Sequence, residues 1–116
     1  MDNETIKNLP KATLHEHVEG TVTPELAAKL AARHNVSLPD SFIMKDGEYD
    51  RQDFPNGRYA YDESDFWAFI NTYDTVADLM RTPQDYYDVV KDYLVKNAQE
   101  GGVYAEMIVS PAHMAV

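Results

Sequence analysis

The stretch KATLHEHVEG, residues Lys11–Gly20, sets the interpretation of the whole chain. It is short, follows Pro10 and runs into a Gly-Thr pair, which predicts a strand of about five or six residues that ends near His17. The run VYAEMIV, residues Val103–Val109, is apolar apart from one acid and lies between a Gly-Gly and a Ser-Pro pair. That pattern predicts a second strand, buried on both faces as the strands of parallel sheets are.

Three helices and one long loop are predicted between the two strands. Thr23-Pro24 begins the first helix, Ser64 caps the second, and Thr82-Pro83 begins the third, with Asp85 placed to complete a capping box. Residues 36–62 carry no hydrophobic period and predict a long, lid-like loop. The order is that of an α/β crossover with two parallel strands. Because a stable parallel sheet needs more strands, we expect residues 1–116 to form a single incomplete domain that opens a larger fold.

The composition limits the classes of partner. Lys and Arg number 10 against 20 Asp and Glu, so the formal net charge is −10 and phosphate backbones and anionic membranes are unfavourable partners. There is no cysteine, which excludes disulfides, thiolate nucleophiles and Cys-ligated metals. No apolar run has the length of a signal-peptide core or a membrane span. We therefore expect a cytoplasmic protein with a small-molecule or protein partner.

His15 and His17 are the first candidates for chemistry. Because they are two apart at the carboxyl end of a strand, both imidazoles point to one face, where two neutral rings can bind one divalent metal ion. The competing interpretation is a pair of solvated histidines near a turn. The motif H-x-E at His17 is not a cytidine-deaminase zinc site, since that site also needs cysteines. The H-E at His15 is not a zinc-protease motif, since position 19 is Glu.

Four further features have two interpretations each. Glu19, two residues after His17, either contacts a bound substrate or faces water in a turn. Glu106 in the second strand needs a partner, either in support of the site or in a structural ion pair. His113, just past that strand, is a neighbour of the histidine pair or part of a tail. An apolar cluster that begins the second helix is ordinary packing or a lid over a pocket; its residues are Phe66, Trp67, Phe69 and Ile70.

The order of these motifs resembles the N-terminal part of adenosine deaminase and its close relatives. The resemblance spans nearly the whole chain. It is carried by Leu9–Ala12, Leu14–Gly20, Thr23–Leu26, Arg81–Tyr86 and Val103–Glu106 with Ser110-Pro111.

The resemblance implies a metal-dependent hydrolase of the TIM-barrel, (β/α)8, fold. The chain would supply the first two strands, and the helices and loop between them would form part of the lid. It implies that His15 and His17 bind the catalytic zinc ion, one per complete active site, and that His17 and Glu19 contact the substrate. The residues implied to close over the substrate are Phe66, Trp67 and Ile70.

The implied reaction is the zinc-dependent hydrolytic deamination of adenosine to inosine and ammonia, a step of purine metabolism. Glu19 stands where animal adenosine deaminases usually carry Asp. The Glu form also occurs in bacterial adenosine and adenine deaminases, so adenine or another aminopurine is the alternative substrate. In the family the remaining metal ligands and the catalytic glutamate and histidine come from later strands. We therefore assign no catalytic residue within the chain and predict that its 116 residues alone are inactive.

An interpretation of another class is a catalytically inactive fragment or interaction module. In that case the exposed edge of the sheet and the helix faces would pair with the remainder of a barrel or with a second copy of the chain. The two interpretations predict different masses in solution, since only a self-pairing module forms a dimer.

Overall fold

The structure is a computed structural model that describes residues 2–110. A 3-10 turn, Val18–Thr21, follows the first strand. No helix within the described range combines the length and hydrophobicity needed to cross a membrane. The helices and strands, in chain order, are α1 Asn3–Asn8, β1 Lys11–His17, α2 Pro24–Arg33, α3 Phe66–Ala77, α4 Pro83–Gln99 and β2 Gly102–Ile108.

The chain folds as two compact units. The first unit joins residues 2–21 to residues 82–110 and contains α1, β1, α4 and β2. The second unit, residues 22–81, contains α2, α3 and the long loop between them. That residues 1–116 form one incomplete domain stays a prediction.

The two strands of the first unit pair in parallel. Thr13 lies opposite Ala105, and His17 lies opposite Ile108. Helices α2, α3 and α4 and the long loop fall between β1 and β2 in the sequence, whereas α1 precedes β1. The predicted α/β class, with two parallel strands joined by a helical crossover and a long loop, is therefore confirmed.

The prediction that β2 is buried on both faces is wrong for this structure. Val103 is 75% exposed and Tyr104 is 53% exposed. The strand packs mainly against β1 and α4. Val103 and Tyr104 point to opposite faces, so within residues 2–110 neither face is fully covered. Glu106, which alternates with Tyr104 along the strand, is consequently exposed as well.

Helix α4 begins and ends as the sequence predicts. The Thr82 hydroxyl accepts the N–H of Asp85 at 3.2 Å, and the Asp85 carboxylate accepts the N–H of Thr82 at 2.9 Å. After the helix, Gly101 has a φ of +85°, and a Cβ there would lie 2.4 Å from the carbonyl oxygen of Lys7. Only glycine fits both the conformation and the space at this turn into β2.

In the second unit the cap of α3 differs from the prediction. Thr23 caps α2 as expected, but the N-cap of α3 is Asp65, whose carboxylate accepts the N–H of Ala68 at 3.1 Å. Ser64 instead donates its hydroxyl to the carboxylate of Asp62 at 2.7 Å. Both residue types are good caps, and the one whose side chain lies over the first turn takes the position.

Helix α1 is an element that the sequence pattern does not predict. It is six residues long and buries none of its side chains, so it has no hydrophobic period to detect. Its one signal is the cap, because the Asp2 carboxylate accepts the N–H of Thr5 at 2.7 Å.

Candidate metal and substrate site

His15 and His17 lie at the carboxyl end of β1, and the structure brings their rings together. The ring centroids are 5.1 Å apart and the planes meet at 76°. Residues two apart on a regular strand are separated by about 6.6 Å, twice the rise per residue, so the two rings converge. Both residues are exposed. The spacing therefore predicts the juxtaposition correctly, while metal binding by the pair stays a prediction.

A bulge in β1 produces this arrangement. From Thr13 to Glu16 the first strand advances three residues while its partner advances two, from Ala105 to Met107. His15, within the bulge, has a φ of +64°, a left-handed conformation that is uncommon for a residue with a Cβ. Bulges redirect side chains and are frequent beside active sites. Simple alternation along a regular strand does not predict this irregularity.

The donor set fits part of the coordination shell of a divalent ion. Two nitrogens on one zinc ion lie at most about 4.2 Å apart, since each bond is about 2.0–2.1 Å. Rings whose centroids are 5.1 Å apart can present nitrogens at such a spacing. Tetrahedral zinc takes four ligands, and no group of three or more His, Asp or Glu side chains in residues 2–110 is arranged to hold a metal ion. The described residues thus offer two ligands of a larger set.

Glu19 is buried in the 3-10 turn that follows β1, with 1% of its surface exposed. Its Oε1 accepts a hydrogen bond from the backbone N–H of Ser110 at 3.1 Å. The interpretation of Glu19 as a turn residue that faces water is therefore wrong. The carboxylate links the ends of the two strands, and its contact with a substrate stays a prediction.

Helix α4 packs against the turn that holds Glu19. The hydroxyl of Tyr86 is buried and has no hydrogen-bond partner within residues 2–110. Burial, and then the negative charges of Glu19 and Asp85, raise the pKa of Tyr86. In the sequence Tyr86 is one member of an apolar stripe, and periodicity alone does not distinguish it as the neighbour of a buried carboxylate.

Phe66, Trp67 and Ile70 lie at the start of α3 in the second unit. Phe66 is 63% exposed and Trp67 is 71% exposed, whereas Ile70 is half-buried. The rings of Phe66 and Trp67 meet edge-on with centroids 5.7 Å apart. Ordinary packing is therefore the wrong interpretation for these two aromatic residues. That the three residues contact a substrate stays a prediction.

The long loop of the second unit is held by side-chain contacts that the sequence does not predict. The Arg51 guanidinium contacts the carboxylates of Asp46 and Glu25. Tyr59 donates its hydroxyl to the carbonyl oxygen of Val22 at 2.7 Å, and burial raises the pKa of Tyr59. The loop is thus fastened to the start of α2 at two places.

Glu106 has a partner on its own strand. Its carboxylate accepts the hydroxyl of Tyr104 at 2.8 Å, and this hydrogen bond raises the pKa of Tyr104. Tyr104 is therefore the hydrogen-bond partner of Glu106, and no ion pair is needed to explain this carboxylate. His113, the other candidate near this strand, lies outside the described residues.

A parallel crossover whose first strand ends in two converging imidazoles has the features of the opening segment of a TIM-barrel hydrolase, since active sites of that fold lie at the carboxyl ends of the strands. Comparison with known proteins agrees with this class. The family model described as adenosine deaminase matches residues 10–116. The chain belongs to the adenosine deaminase family.

Individual relatives are named for a related substrate. The chain is 40% identical over 106 residues to an adenine deaminase of Sinorhizobium medicae, a match that covers 91% of this chain and 28% of that protein. It is 40% identical over 113 residues to an adenine deaminase of Streptomyces coelicolor, covering 97% of this chain and 30% of that protein. The chain therefore spans less than a third of the length of these relatives.

A solved structure supports the same fold. The crystal structure of adenine deaminase from Arthrobacter aurescens matches with a TM-score of 0.66 and 31% sequence identity. The match covers 90% of this chain and 28% of that one. The expected fold, the first part of a TIM-barrel hydrolase, is confirmed.

Proposed function

We propose that this chain supplies part of the metal and substrate site of a hydrolytic deaminase that acts on adenine. The observation that carries the proposal is the 5.1 Å separation of the His15 and His17 rings at the strand end of a chain that belongs to a deaminase family. The choice of adenine over adenosine, the reverse of the first expectation, rests on the names of relatives that are 40% identical.

The proposed reaction is the exchange of an amino group for oxygen on the purine ring. Water adds its oxygen to C6, and the bond between C6 and the exocyclic amino nitrogen breaks. Adenine and water thus become hypoxanthine and ammonia. A zinc ion, when bound, supplies Lewis acidity and lowers the pKa of water. The part of this chain is to hold that ion through ring nitrogens of His15 and His17, which are close enough to share it.

Side chains of each unit are proposed, separately, to contact the substrate. A purine is flat and aromatic, and exposed aromatic rings such as Phe66 and Trp67 provide stacking surface for it. Ile70 adds an aliphatic surface of the kind that lines small-molecule pockets. His17, the second imidazole of the pair, is proposed to contact the purine as well.

A chimera tests the proposal. In it, this chain replaces the segment that it matches in the Streptomyces coelicolor adenine deaminase, and that relative supplies the remaining sequence. We expect the zinc-loaded chimera to release ammonia from adenine at least about tenfold faster than from adenosine. Faster release from adenosine would overturn the assigned substrate. A folded, zinc-loaded chimera that deaminates neither purine would overturn the function.

The chain of 116 residues by itself is expected to deaminate neither purine, even with zinc added. The reason is the number of ligands, because the described residues bring only the two imidazoles to the site. Ammonia release from adenine is the measurement, and any turnover that is lost in His17→Ala would contradict the expectation.

A non-catalytic interaction module is the second candidate, and one observation favours it. The outer surface of α4 exposes large apolar side chains, with Tyr87 60%, Leu94 45% and Val95 48% exposed. Such a patch is typical of a surface that is covered by another polypeptide. Light scattering tests self-association. A dimer that dissociates in the Leu94→Glu variant supports the module, and a monomer contradicts it.

A further inference from the structure

We propose that Glu19 is a positioning residue, whose buried carboxylate ties the end of β1 to the end of β2 and so fixes the strand edge that carries His15 and His17. On this view Glu19 acts through Ser110 and does not itself contact the substrate. The inference deepens the proposed function and rests on it for the identity of the reaction.

Burial separates Glu19 from the two histidines. His15 and His17 are exposed, but Glu19, two residues further on, is 1% exposed. A ligand that arrives from solvent at the imidazoles therefore finds the carboxylate covered. Contact between Glu19 and the ligand would require the turn that follows β1 to open.

The contact between Glu19 and Ser110 continues the pairing of the two strands. His17 lies opposite Ile108 in the parallel ladder. Two residues further along each strand, the Glu19 carboxylate accepts the N–H of Ser110 at 3.1 Å. At this position the acceptor of the Ser110 N–H is therefore a side-chain carboxylate, where a continuing strand would offer a backbone carbonyl. A hydrogen bond with a carboxylate as acceptor is stronger than one between neutral groups.

The surroundings of Glu19 hold the carboxylate in place. Thr21 donates its hydroxyl to the carbonyl oxygen of Val18 at 2.8 Å, which closes the 3-10 turn on itself. On the other side α4 packs against the turn. Burial, and then the charge of Glu19, raise the pKa of Tyr86 in that helix. A buried carboxylate costs free energy unless it is hydrogen-bonded, so the tie to Ser110 is favoured in the folded chain.

The strained backbone of His15 explains why a contact between Glu19 and Ser110 matters for the site. A residue with a Cβ at a φ of +64° keeps that conformation only where its surroundings hold it. Pairing with β2 holds β1 on both sides of the bulge, at Thr13 before it and at Glu16 and His17 after it. The Glu19–Ser110 contact extends that hold beyond His17. Small displacements of groups that orient reactants lower catalytic rates by about 100-fold. We therefore expect loss of the tie to lower kcat more than it changes KM.

Hydrogen exchange of the Ser110 amide in the 116-residue chain tests the contact directly. Glu19→Ala removes the acceptor, and we expect the Ser110 amide to exchange about tenfold faster. Glu19→Gln keeps a side-chain oxygen in the same place, and we expect exchange within about threefold of the unsubstituted chain. Unchanged exchange in a folded Glu19→Ala chain would overturn the proposal.

A double-mutant cycle in the Streptomyces chimera tests the role. Ser110→Pro removes the donor of the same hydrogen bond, because proline has no N–H. We expect Glu19→Ala and Ser110→Pro each to lower kcat about 10- to 100-fold with little change in KM. The double variant should be no slower than the slower of the two single variants. Glu19→Gln should retain most of the activity that Glu19→Ala loses. Additive losses would show that Glu19 and Ser110 act independently, and a Glu19→Gln variant that raises KM for adenine would show substrate contact. Either result would overturn the proposal.

The two experiments separate this proposal from the proposed function. An inactive chimera contradicts the function, while the exchange rate of the Ser110 amide still decides whether the tie exists. If Glu19→Ala does not fold, Ser110→Pro decides alone: a lower kcat at unchanged KM supports the tie, and an unchanged kcat overturns it.

Discussion

Two buried carboxylates of the first unit and an exposed arginine of the second are held in different ways. In the first unit Glu19 and Asp85 are buried, with 1% and 0% of their surfaces exposed, and each accepts a backbone N–H. In the second unit Arg51 remains half exposed while it contacts the carboxylates of Asp46 and Glu25. Buried groups bonded to the backbone fix geometry, whereas exposed ion pairs are screened by water and salt. Glu19 and Asp85 therefore fix backbone positions in the first unit, whereas Arg51 fastens the loop of the second unit more weakly.

The backbone shows the same contrast. Each unit has one residue other than glycine at positive φ, His15 at +64° in the first and Asn35 at +54° in the second, within the described range. Asparagine adopts this conformation readily at the end of a helix. Histidine in a strand does so at a greater cost, and it does so beside the candidate metal site. Strain in the first unit thus coincides with the proposed chemistry, and in the second unit it only ends a helix.

The largest expected effect contrasts one glycine from each unit. Gly101→Ala should lower the free energy of unfolding by about 3 kcal/mol or more, because the residue has positive φ and the new Cβ would meet backbone oxygens of Lys7 and Leu9 at 2.4 and 2.5 Å. Gly47→Ala, in the loop, has a φ of +91° but open space around it, and should cost about 1 kcal/mol. Urea unfolding of both variants is the measurement, and equal losses would contradict the contrast between the units.

The next effect concerns the metal. His15→Ala and His17→Ala should each weaken zinc binding by the 116-residue chain about 100-fold, because the two imidazoles act as linked ligands. His34→Ala is the matched control, since His34 lies in the second unit at the end of α2 and should leave the affinity unchanged. Calorimetric titration with zinc measures all three. An affinity that falls equally in the control would show that zinc binds elsewhere.

Local signals predicted most of the fold. Thr82, Pro83 and Asp85 mark the start of α4, and the glycines after Gln99 mark its end, because caps and breakers act within a few residues. The two-residue spacing of His15 and His17 predicted that their imidazoles lie together, although it did not predict the bulge that brings them there. These features depend on neighbours in sequence, and a single chain contains all the information that they need.

Contacts between distant residues could not be predicted in the same way. Glu19 meets Ser110 across 91 positions of sequence, and the bulge at His15 depends on the register with β2. The burial of β2 failed as a prediction because an apolar composition specifies a preference for burial, whereas the elements available to cover the strand are set by tertiary structure. The sequence pattern also left the choice between adenosine and adenine open, since the resemblance allows Glu19 with either purine.

A smaller effect contrasts two tyrosines. Tyr59→Phe in the second unit loses a 2.7 Å hydrogen bond to Val22 and should cost about 1 kcal/mol. Tyr86→Phe in the first unit removes a buried hydroxyl that has no hydrogen-bond partner within residues 2–110 and should be neutral or slightly stabilising. Urea unfolding at neutral pH compares the two variants. A larger loss of stability for Tyr86→Phe would contradict the finding that its hydroxyl makes no hydrogen bond within residues 2–110.

The same tyrosines give a pH dependence. Burial raises the pKa of Tyr59 and of Tyr86 in the folded chain. The unfolded chain, with tyrosine pKa values of about 10, loses these protons first, so stability should fall as pH rises above about 10. Tyr59→Phe should reduce that fall more than Tyr86→Phe, because the Tyr59 shift is the larger and comes from burial alone. Urea midpoints between about pH 8 and 11 are the measurement, and an unchanged slope in Tyr59→Phe would contradict the cause.

The smallest effect concerns the arginine that fastens the loop. Arg51→Ala removes contacts with Asp46 and Glu25 in which the arginine side chain stays 50% exposed, so it should lower the midpoint of urea unfolding only slightly at low salt. This decrease should shrink further in about 1 M NaCl, where charges are screened beyond about 3 Å. Arg51→Lys keeps the charge but loses the planar guanidinium that reaches two carboxylates. Its stability should lie between that of the unsubstituted chain and that of Arg51→Ala. A loss as large as that of Gly101→Ala, unchanged by salt, would show that Arg51 acts like the buried carboxylates of the first unit, and it would contradict the contrast between the units.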